Sequence, residues 1–205
     1  MGSILQIASA VHDGLAKTYS RSQKSRPESF EHKWMIIKTK HFILRPYRMS
    51  DAESIAKNSN DKTIARNMLT VPYPYTINDA NRFLKRIMKL TKSKKSTSRV
   101  FAIEIDGELV GAIGMHNIHV HKAEIGYWLA RKYWGKGIMT RVVKEIVKLG
   151  FGEMGLSRIY AGTFPHNKAS MRVLEKAGFK FEGILRKNLK KGDKLIDEYF
   201  FARVK

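Results

Sequence analysis

Residues 125–150, IGYWLARKYWGKGIMTRVVKEIVKLG, end an extended run on Gly135-Lys136-Gly137 and pass at once into an apolar stripe at helical spacing. Helix starts usually place Ser, Thr, Asp or Asn at the N-cap, where the side chain accepts from a free N–H group. With glycine there instead, the backbone can approach a ligand closely, the first amides stay open, and the macrodipole adds about half a positive charge. Lys132, Lys136 and Arg141 supply full charges nearby. The combination suits a phosphate or pyrophosphate, and the bland alternative is an ordinary tight strand-to-helix turn. Two nucleotide motifs fail. A Walker A loop needs Gly-x4-Gly-Lys-Ser/Thr, yet Ala130 lies five residues before Gly135 and Gly137 follows Lys136; a dinucleotide fingerprint breaks at Thr140.

Asn167 and Ser170, in HNKASMRVLEKAGF, form a second group three residues apart, sharing a face if a helix begins at residue 167. Asn167 also suits an N-cap, whereas Ser170 stands where a capping box wants Glu or Gln. Two successive right-handed crossings place both helix N-termini at one edge of the sheet, where ligands of open α/β sheets bind. His116, His119 and His121 cluster without a helical His-Glu-x-x-His and read as a polar inter-strand turn, so no metal is expected. No Gly-x-Ser-x-Gly elbow occurs, which disfavours a serine hydrolase.

The elements that must position these groups begin after an extension. In residues 1–34, Ile4, Leu5, Ile7, Ala8, Val11 and Leu15 recur at near-helical spacing, and a polar stretch with Pro27 follows as a tether. From Met35, MIIKTKHFILRPY reads as one strand, and Ser50 to Glu53 has the form of a capping box opening a helix. VPYPYT precedes a second helix near Asn78 to Leu90; RVFAIEID and ELVGAIGMHN form a hairpin at Asp106-Gly107; AEIGYWLA follows. A helix over 138–149, the strand SRIYAGTF, a helix from Asn167 to Ala177 stopped by Gly178, and a hairpin at Gly192-Asp193 complete the chain. The order β-α-α-β-β-β-α-β-α-β-β is a mixed α/β architecture, not a regular doubly wound fold. Residues 35–205 therefore read as one domain.

The chain has 205 residues, 39 Lys+Arg against 18 Asp+Glu for a net charge of +21, and no cysteine. The last point excludes a disulfide framework, a thiolate zinc site, an iron–sulfur cluster and a cysteine nucleophile. No stretch approaches the ~18 consecutive apolar residues of a membrane span, and the start has no signal-peptide pattern, so a soluble, cytoplasmic protein is expected. The charge predicts attraction to polyanions such as RNA or ribosomes, or else a lysine-rich solvated surface. Its one dense cluster, Lys85 to Arg99, has no interleaved aromatic for stacking bases, so nucleic-acid binding is a secondary reading.

Taken together, FILRPYRMSDAESI, PYPYT, EIGYWL, YWGKGIMT and NKASMRVLEKAGFKFEG resemble the GNAT superfamily of acetyl-CoA-dependent N-acetyltransferases. The resemblance points to its RimJ/RimL-like branch, which includes ribosomal-protein N-terminal acetyltransferases, and runs from about Ile37 to the C-terminus. It implies a GNAT fold with a twisted, mostly antiparallel sheet of about seven strands flanked by about four helices. It further implies that amides from Trp134 through Gly135, Lys136, Gly137 and Ile138 to Met139 hold the CoA pyrophosphate. By the same resemblance the strand at Trp128, Leu129 and Ala130 is expected to pair with the pantetheine arm, and Asn167 to hydrogen-bond it. Ser170 matches the position proposed to protonate the departing thiolate. Lys132 departs from the Gln or Arg that opens the superfamily motif, which loosens a side-chain contact but leaves the backbone contacts.

Acyl transfer to an amine needs a neutral nucleophile, yet α-amines titrate near ~8 and alkyl amines near ~10, so a base or proton wire is required. Without a cysteine to acylate, direct attack in a ternary complex is the simpler route. Glu124 matches a strand glutamate used as base by some GNAT enzymes, and Gly126 on the same strand face leaves room for substrate. Glu182 and Asp197 are alternatives that could select a cationic amine; Tyr73 and Tyr75 could line the acceptor pocket. The expected acceptor is a protein N-terminal α-amine, with a polyamine or aminoglycoside-like amine as the alternative. A non-catalytic acyl-CoA- or RNA-binding module is the rival from another class. A monomer or homodimer is expected.

Overall fold

The computed structural model describes residues 35–93 and 96–205; the helix and tether expected over residues 1–34, and Lys94 and Lys95 of the basic cluster, lie outside the described residues. In chain order the elements are β1 (Ile37–Lys38), β2 (Ile43–Arg45), a 3-10 turn (Met49–Asp51), α1 (Ala52–Ser59), α2 (Lys62–Arg66) and α3 (Ile77–Lys92). Then come β3 (Arg99–Ile105), β4 (Glu108–His116), β5 (Lys122–Leu129), α4 (Ile138–Phe151), β6 (Arg158–Thr163), α5 (Lys168–Lys176), β7 (Lys180–Lys191) and β8 (Lys194–Val204). The strands form one sheet in the order β1-β2-β3-β4-β5-β6-β8-β7, the mixed architecture expected.

Three local features depart from the sequence reading, each through a side chain bonded to backbone. The single strand over residues 35–47 is broken into a hairpin because Thr39 Oγ1 accepts from the amides of His41 and Phe42 and donates to the Phe42 carbonyl. The Ser50 to Glu53 capping box does not form. Instead the Asp51 carboxylate accepts from the Arg48 amide at 2.7 Å and from Arg45 Nη1 and Nη2 at 2.9 and 2.7 Å, which sets a 3-10 turn ahead of α1. The additional helix α2 starts at Asp61, whose Oδ1 accepts from Thr63 and Ile64 at 2.7 and 3.1 Å. Elsewhere glycine chemistry acts as read: Asp106 and Gly107 have φ of 50° and 77°, the paired left-handed residues of a tight hairpin turn.

The sheet buries both faces. One packs Ile103, Ile113, Met115 and Ile125 against Val142, Val143 and Ile146 of α4 and Leu174 of α5. The other packs Ala102, Leu109 and Ala112 against Ile55 of α1 and Leu84 and Ile87 of α3, with Tyr47 beside them. Each large aliphatic side chain so buried stabilises the fold by ~1.5–3 kcal/mol before entropy is counted.

For function, the decisive feature is the β5–β6 pair, the one parallel neighbour pair in the sheet. Its register runs from Lys122↔Arg158 to Glu124↔Tyr160 and stops, although β5 continues to Leu129 and β6 to Thr163. The two strands therefore fork, leaving one edge of β5 without a strand partner beyond Glu124. No helix among the described residues is long and apolar enough to cross a membrane.

Candidate active site

A cleft of about 670 Å³ occupies the fork. Ile125 to Leu129 of β5 and Ala161 to Thr163 of β6 form its sides, the N-terminal turns of α4 and α5 close it, and Asn67, Met68 and Leu69 after α2 face them. Both helix starts thus sit at one edge of the sheet, as two successive crossings require.

At the α4 end, Gly137 is the N-cap with φ 71°, and no side chain caps the helix. The first intrahelical bond runs from the Arg141 amide to the Gly137 carbonyl at 3.2 Å, so the amides of Ile138, Met139 and Thr140 precede the hydrogen-bonded ladder. A Cβ on Gly135 (φ 73°) would meet no protein atom, and one on Gly137 only the Arg141 guanidinium at 3.8 Å. Packing therefore does not demand these glycines; they leave an open, amide-lined concavity that fits a pyrophosphate. Arg141, Lys144, Arg172 and Lys176 also line the cleft. Of these, only Arg141 figures in the sequence reading, because the others lie on helices whose exposed faces are lysine-rich throughout.

Trp134 fixes the loop by donating from Nε1 to the Leu129 carbonyl at 2.7 Å. Trp128, Leu129, Trp134, Gly135, Gly137, Ile138, Met139 and Asn167 all line the cleft. Ala130, Lys132 and Lys136 do not. Ala130 donates its amide to the Val110 carbonyl at 2.7 Å. Lys132 Nζ instead bonds Glu108 Oε2 at 2.8 Å, and that ammonium holds the Glu108 carboxyl down at about 2. Lys136 Nζ lies 5.6 Å from the Tyr133 ring centroid.

At the α5 end, Asn167 caps the helix, its Oδ1 accepting from the Ser170 amide at 3.2 Å. Ser170 Oγ lies in the cleft 2.9 Å from Tyr127 Oη, a partner absent from the sequence reading. Burial pushes the Tyr127 phenol far above its ordinary range, so it stays protonated. Strand alternation could have found it: Tyr127 shares the face of Ile125 and Leu129, which pack toward α4 and α5.

Glu124 sits where the β5–β6 pairing ends, only 6% exposed, and does not itself line the cleft. Burial, with a smaller push from the Glu198 charge, raises its carboxyl to about 8, against a hydrogen bond donated by Asn117 Nδ2 at 3.2 Å. Glu198 of β8, which the sequence reading passes over, is the one carboxylate among the described residues lining the cleft. Burial raises its pKa as well.

The remaining residues singled out from sequence lie elsewhere. Glu182 pairs with the Arg158 guanidinium, one bond at 2.9 Å, and is partly exposed. Asp197 Oδ1 accepts from the Lys187 amide at 2.8 Å. Tyr73 is 48% exposed with Lys62 Nζ 5.5 Å from its ring centroid. Tyr75 is buried beneath α1 and α3, its amide donating to Asn60 Oδ1 at 3.0 Å. Neither tyrosine lines the large cleft. His116 is buried with Nδ1 3.2 Å from Ser98 Oγ, and among the described residues no acidic or histidine group is assembled to hold a metal.

A forked strand pair, with an amide cradle at one helix start and a half-buried hydroxyl at the next, defines a CoA-dependent acyltransferase cleft. Residues 41–180 match the acetyltransferase (GNAT) domain, and the chain belongs to that family, as an N-acetyltransferase that uses acetyl-CoA. The probable N-acetyltransferase YjcK of Bacillus subtilis (strain 168) is 35% identical over 162 residues, 76% of this chain and 89% of YjcK. The spermidine N(1)-acetyltransferase of Escherichia coli (strain K12) is 28% identical over 144 residues, 69% of this chain and 74% of that enzyme. Mycobacterium smegmatis RimJ, solved in complex with CoA-disulfide, matches with a TM-score of 0.72 at 28% identity, over 80% of this chain and 81% of RimJ.

Proposed function

We propose that this enzyme acetylates the α-amine of a protein N-terminus in the cytoplasm, by direct attack in a ternary complex, as a monomer or homodimer. The observation that carries this reading is the charge of the cleft wall. Away from the starts of α4 and α5 its side formed by Ile64, Met68, Leu69 and Leu189 is apolar, and Glu198 is the one carboxylate among its described residues. An N-terminal α-amine carries one charge, which one carboxyl can match. A polyamine carries several along its length and would leave the rest facing apolar wall and a chain of net charge +21. The same surplus draws the enzyme toward ribosomes, where protein N-termini stand against RNA.

In this reading the open amides from Gly135 to Met139 hold the pyrophosphate, the Trp134 amide being taken by the Arg131 carbonyl at 3.0 Å; the free edge of β5 at Trp128 and Leu129 aligns the pantetheine arm, and Asn167 steadies it. Glu124, at the apex of the fork, is a relay group that passes protons between the site and solvent, and Ser170 is the proton donor to the departing sulfur. The test is thiol release from acetyl-CoA across a panel of free-N-terminal peptides, spermidine and an aminoglycoside, with mass mapping of the product. Acetyl on the peptide α-nitrogen is expected. Turnover of spermidine or aminoglycoside with inert peptides overturns the reading, and CoA binding without turnover of any amine favours a binding module.

A further inference from the structure

We propose that Glu198 is the carboxyl that receives the acceptor's ammonium group in the fork and takes its proton. The assignment rests on amine acetylation at this cleft and deepens it by naming the group that touches the amine.

Glu198 is only 6% exposed, yet it faces the cleft from β8, one strand beyond the fork. It gets there across β6 because residue 162 is glycine: a Cβ at Gly162 would stand 1.6 Å from Glu198 Oε1 and 2.4 Å from its Cδ. Any side chain at 162 would evict the carboxyl, so this glycine opens the path for it. Glu198 Oε2 accepts from Asn188 Nδ2 at 2.6 Å. Asn188 is delivered by an irregularity in β7, where the register jumps from Leu185↔Glu198 to Leu189↔Ile196 and Lys187 adopts φ 51°. Asp197 pins that bulge by accepting from the Lys187 amide. Bulges beside active sites commonly re-aim a side chain in this way.

One oxygen of Glu198 is therefore anchored, while the other lies over bare backbone. In a chain with 39 Lys+Arg against 18 Asp+Glu, no ion pair among the described residues reaches Glu198 or its neighbour Glu124. Burying a carboxylate without a cation is costly, and a substrate ammonium removes that cost when it binds.

The step balances. One N–H bond of the ammonium breaks and its proton goes to Glu198 Oε1, which leaves a lone pair on nitrogen. That pair forms the C–N bond at the thioester carbonyl carbon, and the C–S bond breaks with its electrons on sulfur. Sulfur gains a proton from Ser170, which is made good by the second proton that nitrogen loses; the proton held on Glu198 leaves to solvent.

The test uses the full chain with acetyl-CoA, a hexapeptide with a free N-terminal alanine and a panel of small primary amines, all at one pH. CoA affinity is measured in parallel by calorimetry. Glu198→Gln is expected to lower kcat/KM for the amine by ~100-fold or more, with KM for acetyl-CoA within about twofold of wild type. Gly162→Ala keeps the carboxyl but displaces it, and should fall in the same direction by ~10-fold; Glu198→Asp should recover part of the loss. If Glu198→Gln loses CoA affinity as well, the Asp and Gly162 variants decide. Variants that keep kcat/KM within about threefold of wild type overturn the proposal and leave N-terminal acetylation standing. Inert peptides, with a small amine turned over and lost in Glu198→Gln, overturn the acceptor reading and uphold Glu198. If wild type releases thiol with no amine, both fall.

Discussion

Tyr127 Oη lies 2.9 Å from Ser170 Oγ and 3.3 Å from the Ser170 carbonyl oxygen, so a phenol on β5 ties the first turn of α5 to the fork. A hydroxyl that protonates a leaving thiolate must point its hydrogen at sulfur, and the neighbouring phenol serves this by donating its one proton to Ser170 Oγ, which leaves the serine hydrogen free. Ser170→Ala should lower kcat by ~100-fold and Tyr127→Phe by only ~3–10-fold, with little change in KM for acetyl-CoA. If Tyr127 acts through Ser170, the double variant is no slower than Ser170→Ala alone. Additive losses in single-turnover thiol release would remove the coupling.

Glu124 gives the stability a pH slope of known sign. An ordinary glutamate loses its proton near 4.5, whereas burial holds this one to about 8, so between those values the folded chain keeps a proton that the unfolded chain has lost. Stability tied to Glu124 is whole below 4.5 and drains as pH rises through 8. Glu124→Gln has no such slope, so its Tm relative to wild type should climb between pH 5 and pH 9, by the equivalent of a few kcal/mol. A difference that stays flat in scanning calorimetry would mean the carboxyl is not held protonated by the fold.

The parts of the fold and site that were legible in the sequence are those specified within a few residues. Asp106-Gly107 marks a hairpin, Gly178 stops α5, and the apolar stripe from Ile138 to Leu149 gives α4 its buried face. The cradle at Gly135-Lys136-Gly137 and the Asn167-Ser170 pair are equally local. What escapes depends on partners brought in by the fold. Arg45 captures Asp51 and replaces the Ser50 cap with a 3-10 turn. Asp197 and Glu198 are adjacent and chemically alike, and strand alternation gives them opposite faces. Which face meets the cleft depends on how β8 pairs with β6, and periodicity in one strand does not carry that register.

Gly137 joins two requirements at one residue. Its φ of 71° lies where an L side chain is strained, and the open amides beside it are the ones proposed to hold the pyrophosphate. Gly137→Ala should cost ~1–2 kcal/mol of stability and weaken CoA binding by ~10-fold, because the added methyl strains the N-cap and crowds the approach to the open amides. Calorimetric titration with CoA checks the second effect against the first. A variant that loses Tm but binds CoA as wild type would uncouple the glycine from the ligand.

Lys191 closes the side of the cleft proposed for the acceptor. Its ammonium donates to the carbonyls of Ala65, Arg66 and Met68 at 2.6, 2.9 and 2.7 Å, and so ties the end of α2 to the β7–β8 hairpin. All three donors of the ammonium are used, at a helix C-terminus where positive charge is favoured. Met68 and Leu69, which line the cleft, hang from that clasp. Lys191→Met keeps the apolar stem but takes the ammonium from all three carbonyls, of which that of Ala65 keeps the Met68 amide at 3.4 Å. It should destabilise the fold by ~1–3 kcal/mol and raise KM for the amine by ~5-fold, while KM for acetyl-CoA stays within about twofold. Lys191→Arg should recover only part of this, because a planar guanidinium cannot converge three N–H groups on one pocket of carbonyls. Should the Met variant lose Tm while its KM for the amine is unchanged, the clasp would hold the fold together without shaping the acceptor wall.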